Sequence, residues 1–259
     1  MKKIIKKILQ MFGYSLVKNS SLKLYQNAVQ SQDDITFLLS LSAEELIKAA
    51  PLIEKSKAQL RQDIFVLLET NMKHNGFFVE FGATDGVTLS NTYLLENEFS
   101  WDGILAEPGR KWHDALVNNR TVKIDLNCVW RESGKKLSFV ETEIPELSTV
   151  KTLSARDHHE ASRVVEEEYT VKTKSLLDLL DEYKAPKHID YLSIDTEGSE
   201  FEILSAFDFN QYDIKIITCE HNYSEDREKI YNLLSSNGYR RVRKNVSKFD
   251  DWYIKTDKQ

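Results

Sequence analysis

Phe77-Phe78-Val79-Glu80-Phe81-Gly82-Ala83-Thr84-Asp85-Gly86, followed by Gly103-Ile104-Leu105-Ala106-Glu107-Pro108, decides the fold. The first is an apolar run that enters a loop containing two glycines, and the second is an apolar run that ends in a carboxylate. A short continuous apolar run bounded by turn residues reads as a strand buried on both faces, the signature of a parallel sheet covered by helices. The two glycines after the first run let backbone amides approach a ligand closely, and the carboxylate ending the second run is suited to ribose hydroxyls. The pair therefore reads as the nucleotide-binding half of a Rossmann-like sheet holding an adenosine-containing cofactor.

The glycine spacing separates cofactor classes. Dinucleotide sites carry G-x-G-x-x-G so that a helix N-terminus can hold a pyrophosphate. Here the spacing is Gly82-x-x-x-Gly86, flanked by Glu80 and Asp85. Two carboxylates repel a pyrophosphate but accept hydrogen bonds from an ammonium group or balance a sulfonium cation. S-adenosylmethionine (SAM) fits this loop better than a nicotinamide dinucleotide, although an ordinary strand-to-helix turn is an open alternative.

Outward from these runs, strands are expected at 77–81, 103–107, 122–126, 189–195 and 214–219. They alternate with helices near 89–99, 110–118, 174–183, 198–206 and 225–237, which demands a parallel sheet with helices on both faces. The tail, 238–244 and 252–255, reads as an antiparallel hairpin joined by a polar turn. Residues 131–170, including Arg156-Asp157-His158-His159-Glu160, break the rhythm. A substrate-facing insertion, a lid and a solvated excursion are all compatible with that charge-rich stretch, and the solvated excursion is expected.

From 31 to 75 the pattern is helical, with Ile35, Phe37, Leu38, Leu39 and Leu41 expected to pack and Ser42-Ala43-Glu44-Glu45 opening a second helix with a capping sequence. Residues 1–70 read as a helical N-terminal extension and 71–259 as the catalytic domain. The first twelve residues place Ile4, Ile5, Ile8, Leu9 and Phe12 at helical spacing among four lysines. No uninterrupted apolar stretch suits export or a membrane span, so either a basic amphipathic helix lying on the inner membrane leaflet or a helix packed on protein is expected.

With 35 basic and 41 acidic residues the net charge is −6, which gives no electrostatic case for nucleic acid as a partner. At 259 residues and 41% hydrophobic the chain can bury one full core. Its two cysteines, Cys128 and Cys219, adjoin apolar runs and read as reduced, buried side chains of a cytoplasmic protein.

A second stretch carries chemistry: Ile189-Asp190-Tyr191-Leu192-Ser193-Ile194-Asp195-Thr196-Glu197-Gly198-Ser199-Glu200. Asp195 and Glu197, two apart at the C-terminal end of a strand, share one face where open α/β sheets bind ligands. The next apolar strand ends in Glu220-His221-Asn222 at the same sheet edge. Asp195, His221 and Glu197, in that order, are the candidates to receive a proton. With Glu220 they also offer donors for a divalent metal, whose presence the sequence leaves open.

The Glu80-to-Gly86 loop, Glu107-Pro108, Ser175-Leu176-Leu177-Asp178-Leu179-Leu180 and Ile194-Asp195-Thr196-Glu197-Gly198-Ser199-Glu200, in this order, resemble the FkbM family of SAM-dependent methyltransferases. The resemblance covers about 75–222. It departs at Thr84, where the family more often has Asn, and at Glu80, where Asp is usual. It implies a Rossmann-like class I methyltransferase sheet closed by an antiparallel final strand, and O-methylation of a hydroxyl, often on a sugar of a surface glycan or glycolipid. It further implies that Glu80, Gly82, Thr84, Asp85 and Gly86 surround the methionine moiety, that Glu107 holds the ribose, and that Asp125 lies near adenine. Ser90 and Asn91, at an expected helix start, suit either the cofactor carboxylate or plain capping. Two other classes survive at this level: an NAD(P)-dependent oxidoreductase, and a non-catalytic membrane-associated binding module.

Overall fold

The computed structural model describes residues 18–154 and 162–256. The expected membrane-surface helix, 1–12, and the whole Arg156–Glu160 segment therefore lie outside the described residues. In chain order the helices are α1 (Asn19–Leu39), α2 (Ala43–Ala49), α3 (Gln62–Glu69), α4 (Tyr93–Phe99), α5 (His113–Asn119), α6 (Leu176–Glu182), α7 (Glu200–Ser205) and α8 (Asp226–Ser236). The strands are β1 (Phe77–Phe81), β2 (Asp102–Ala106), β3 (Lys123–Asp125), β4 (Cys128–Trp130), β5 (Lys136–Thr142), β6 (Thr149–Val150), β7 (Val165–Ser175), β8 (His188–Ile194), β9 (Asp213–Glu220), β10 (Tyr239–Val242) and β11 (Asp250–Lys255).

Seven strands form the main sheet in the order β10-β11-β9-β8-β1-β2-β3. Strands β3, β2, β1, β8 and β9 are parallel, while β11 inserts antiparallel between β9 and β10. Every residue of β1 is buried, and its side chains alternate faces as the pleat requires. Phe77, Val79 and Phe81 join one core with residues of α6, α7 and α8. Phe78 joins a second core with residues of α1, α3, α4 and α5. Helices thus cover both faces, as expected of a parallel sheet.

The N-terminal helices are built into the second core. Phe65 of α3 stacks on Trp252 of β11 with ring centroids 4.6 Å apart, and neither ring sees solvent. Ser42 forms the capping box read from the sequence: its hydroxyl accepts from the Glu45 amide, and Glu45 accepts from the Ser42 amide. The expected packing of α1 needs correction at two positions. Phe37 is buried, but Ile35 and Leu39 are 57% and 81% exposed. Four residues apart, they share a helix face turned away from the one that Phe37 buries.

Residues 131–170 also depart from the expected solvated excursion. The described ones supply most of a second sheet, β4-β7-β5-β6, with a core of Cys128, Trp130, Phe139, Val150, Leu153, Tyr169 and Val171. Strand β7 is charge-rich, yet Tyr169, Val171 and Thr173 are buried while Glu168, Thr170 and Lys172 are exposed. That period-2 pattern is a half-buried strand whose solvent face carries the charges. No described helix is long and apolar enough to cross a membrane.

Candidate functional site

From β1 the chain steps outward to β2 and β3, and later returns to β8 on the other side, so the topological switch point lies between β1 and β8. Open sheets bind ligands there, beyond the carboxyl ends of the strands. A cavity of ≈ 310 Å³ occupies that position. The end of β1 contributes Glu80, Phe81 and Gly82; β2 leads to Glu107; β8 delivers Asp195 and Glu197; β9 ends in Glu220. The second sheet closes the far wall with Phe139, Val150 and the 145–148 connection. Part of the 131–170 stretch, Phe139, 145–148 and Val150, is therefore a wall of the site.

Glu107 is 5% exposed, and its two carboxylate oxygens accept from the amides of Thr84, at 2.9 Å, and Gly109, at 2.7 Å. Burial raises its pKa to about 7, with the charges of Glu141 and Asp195 adding to the rise against those amide bonds. A carboxylate so placed gains from hydroxyl donors, which stabilise its charged form.

Gly82 brings two strand ends together. At φ +74°, a Cβ there would lie 1.8 Å from the Asp195 carbonyl oxygen. Gly82→Ala is therefore expected to part the β1 and β8 loops, costing about 2–4 kcal/mol through left-handed strain and overpacking, and to remove ligand binding in the cavity between them. Gly134 has φ +79° but nothing near its virtual Cβ. Gly134→Ala is expected to cost only about 1 kcal/mol and to leave binding intact. Thermal melts and calorimetry on both variants check the contrast.

Several side chains expected around the cofactor serve the loop itself. Glu80 is 3% exposed and accepts from the Asn91 amide at 2.7 Å, from the Thr92 hydroxyl at 2.5 Å and from Ser90. Burial raises its pKa against the opposing effect of Arg120, whose Nη1 lies 3.8 Å away. Ser90 is fully engaged, donating to Glu80 and accepting from the amides of Thr92 and Tyr93. Asp85 closes a turn by accepting from the amides of Val87 and Thr88 and from the Thr88 hydroxyl. Asp125 pairs with Lys174 at 2.5 Å and accepts from Asn127. Glu80, Gly82, Thr84, Asn91, Glu107, Asp195 and Glu197 line the cavity; Asp85, Gly86, Ser90 and Asp125 are not among its lining residues.

The proton-acceptor candidates divide as well. Burial raises the Asp195 pKa to about 6, partly opposed by a hydrogen bond from Glu220 and reinforced by the charge of Glu80. Glu220 is pushed well above the usual carboxyl range by burial and by Asp195 and Glu197. Glu197, in a left-handed conformation at φ +57°, accepts from Arg163 at 2.8 Å, and its carbonyl accepts from Thr149 of the second sheet. His221 lies outside this cavity, in a neighbouring cleft with Asn222 and Ser224. Its Nδ1 accepts from the Tyr223 amide, its Nε2 is 3.9 Å from Asp251, and burial pushes its pKa down to about 4. Adjacent residues at a strand end point to opposite sides, so Glu220 faces the cavity and His221 does not.

Sequence reasoning missed Arg120 and Arg163, the buried cations that hold the Glu80 loop and Glu197. No local pattern distinguishes them from surface arginines. Cys128 and Cys219 are both buried free thiols, as read from the sequence. Burial raises Cys128, in the cavity wall, to about 12, so it is no nucleophile at neutral pH.

The family model described as "Methyltransferase FkbM domain" matches residues 80–241. Among solved structures, the precorrin-6y C5,15-methyltransferase from Geobacter metallireducens GS-15 aligns at 11% identity over 70% of this chain and 71% of its own, with a TM-score of 0.40. A "putative sarcosine dimethylglycine methyltransferase" from Galdieria sulphuraria aligns at 9% identity over 74% of this chain and 65% of its own, with a TM-score of 0.32. No curated protein matches the sequence.

Proposed function

Because the chain belongs to the FkbM family of SAM-dependent methyltransferases, we propose that it is an O-methyltransferase whose acceptor is a sugar hydroxyl of a surface glycan or glycolipid. The observation that carries this reading is the cavity at the switch point. Its β2 side offers a buried carboxylate to a ribose, and its β8 and β9 side gathers acidic groups suited to a cationic donor and a hydroxyl acceptor.

The residues present fit that donor. Glu107 would accept from ribose hydroxyls, and the close approach of Gly82 to the Asp195 carbonyl oxygen, where a Cβ would lie 1.8 Å away, sets how near the β1 and β8 loops that line the cavity come to each other. Acidic groups repel an anionic pyrophosphate and favour an ammonium or sulfonium. When bound, SAM supplies an electrophilic methyl group. The protein's part is to place the acceptor oxygen in line, exclude water and receive the hydroxyl proton. Asp195 is assigned as the proton acceptor, since it lies in the wall with a pKa near the operating range. Glu197, held by Arg163, orients the acceptor.

Ribose hydroxyls donating to Glu107 favour its ionised form, so binding lowers its pKa from about 7 and releases a proton. SAM affinity is expected to rise as pH climbs towards 7 and to level above it. Glu107→Gln, which turns one acceptor into an N–H group facing an amide, is expected to weaken SAM roughly 10- to 100-fold and to flatten that dependence. Calorimetry between pH 5.5 and 8.5 (an ordinary buffer range around the Glu107 value) checks both.

The acceptor is tested by incubating the protein with labelled SAM and fractions of the host's surface polysaccharide, then locating the transferred carbon by mass spectrometry. A methyl ether on a sugar supports the reading; a label confined to nitrogen or carbon overturns it. The basic N-terminal sequence supports work in the cytoplasm at the inner leaflet. Deleting residues 1–20 is then expected to reduce association with anionic liposomes, and unchanged partitioning counts against it.

A further inference from the structure

We infer that the far end of the cavity is a divalent-cation site built from Asp195, Glu197 and Glu220. One carboxylate oxygen of each lies within 4.8 Å of the other two. Oxygens bound to a calcium-sized ion at about 2.4 Å stand at most about 4.8 Å apart across it, and those bound to magnesium at about 2.1 Å stand closer. Asp195 and Glu197 come from the loop that leaves β8 and Glu220 from the end of β9, and the three converge at one point beyond the sheet edge.

A second observation points to a ligand. Glu220 is 7% exposed and lines the cavity, and its Oε2 has no hydrogen-bond partner among the described residues; the hydrogen bond that Glu220 shares with Asp195 lies within the carboxylate set and brings no positive charge. A buried carboxylate oxygen without a donor is costly unless a cation or a ligand donor completes it. Nearby positive charge does not meet that need, since Arg163 is directed at the Glu197 Oε2 atom.

An all-oxygen set of carboxylates selects a hard ion such as magnesium, manganese or calcium over zinc. Three protein ligands leave coordination positions for water or for a hydroxyl oxygen of the acceptor. A vicinal diol would occupy two of them, which deepens the sugar-acceptor reading on which this last clause rests. Ligation through one Asp195 oxygen leaves the other to receive a proton. His221, on the far side of Glu220, is not a ligand in this arrangement.

The test uses the full chain without donor or acceptor. Manganese binding is followed by its electron paramagnetic resonance signal and by water-proton relaxation, with magnesium and calcium as competitors. One ion per chain is expected, weakened at least about tenfold by Glu220→Gln and by Asp195→Asn, a factor worth about 1.4 kcal/mol, and unchanged by Asp208→Asn on the surface. Should Glu220→Gln fail to fold, Glu197→Gln and Asp195→Asn carry the comparison. No bound ion at millimolar manganese, or binding indifferent to all three cavity variants, overturns the site. SAM affinity measured on the same sample keeps the readings apart: SAM bound with no metal site removes this inference alone, whereas a metal site without SAM binding removes the donor reading.

Discussion

Asp195→Asn is expected to lower kcat by at least about 10³-fold while SAM affinity changes by less than about threefold, the range general-base removal commonly spans. Asparagine matches the shape of aspartate and keeps the backbone that meets Gly82 and Phe81, so the join between β1 and β8 persists. What disappears is a carboxylate whose pKa, raised by burial to about 6, makes it a competent base at neutral pH. The contacts assigned to the ribose sit on Glu107 at the end of β2, on the other side of β1. Chemistry and cofactor affinity should therefore separate. Single-turnover rates with saturating SAM, set beside calorimetric SAM binding, measure the two independently. Parallel loss of both quantities would mean that Asp195 holds the cofactor and takes no proton.

The features legible in the sequence are those whose cause is local. Strands β1, β2, β8 and β9 are buried on both faces or nearly so, and such strands read as apolar runs. Glu107, Asp195 and Glu220 follow because carboxylates at the ends of parallel strands are collected at one sheet edge. The place of β11, between β9 and β10, is less local, and the sequence shows only that the tail makes two strands.

Features that escaped depend on partners far along the chain. β7 has the alternation of a half-buried strand, but its exposed positions are so charged that the buried Tyr169, Val171 and Thr173 are hard to see without β5 beside them. Ser90 reads as a helix cap able to meet a cofactor, yet a buried Glu80 ten residues earlier claims its hydroxyl. His221 has the ideal chemistry for a base, and only its position beyond the strand end, beside Asp251, removes it from the cavity wall. A buried arginine gives the least warning of all, because its identity as a core residue is written in the carboxylates it meets.

Arg120 is the test of that last point, and its loss is expected to be the most damaging to stability. The side chain is fully buried. Its Nε donates to Glu96 at 2.6 Å, its Nη1 to the Gly86 carbonyl at 2.9 Å, and its Nη2 to the Thr92 hydroxyl at 2.9 Å, with Glu80 alongside. These bonds tie α5 to the loop that frames the cavity and to the start of α4. Arg120→Met keeps much of the apolar volume but strands two carboxylates, and breaking a buried pair from one side costs about 3–5 kcal/mol. For a chain of this size that corresponds to a fall in Tm on the order of 10 °C, with weaker SAM binding as the loop loosens. Removing Arg120 also removes the influence that lowers the Glu80 pKa against burial. Glu80, already raised by burial, then holds its proton in the folded state to still higher pH. An acid raised in this way destabilises the fold progressively as pH rises above its unfolded value, so the deficit should be smaller at pH 5 than at pH 8 (on either side of neutrality). Adding Glu96→Gln to Arg120→Met should recover part of the loss, because one of the stranded charges is gone. A double variant no more stable than Arg120→Met, together with a deficit independent of pH, would show that Arg120 acts through packing and not through the charges it neutralises.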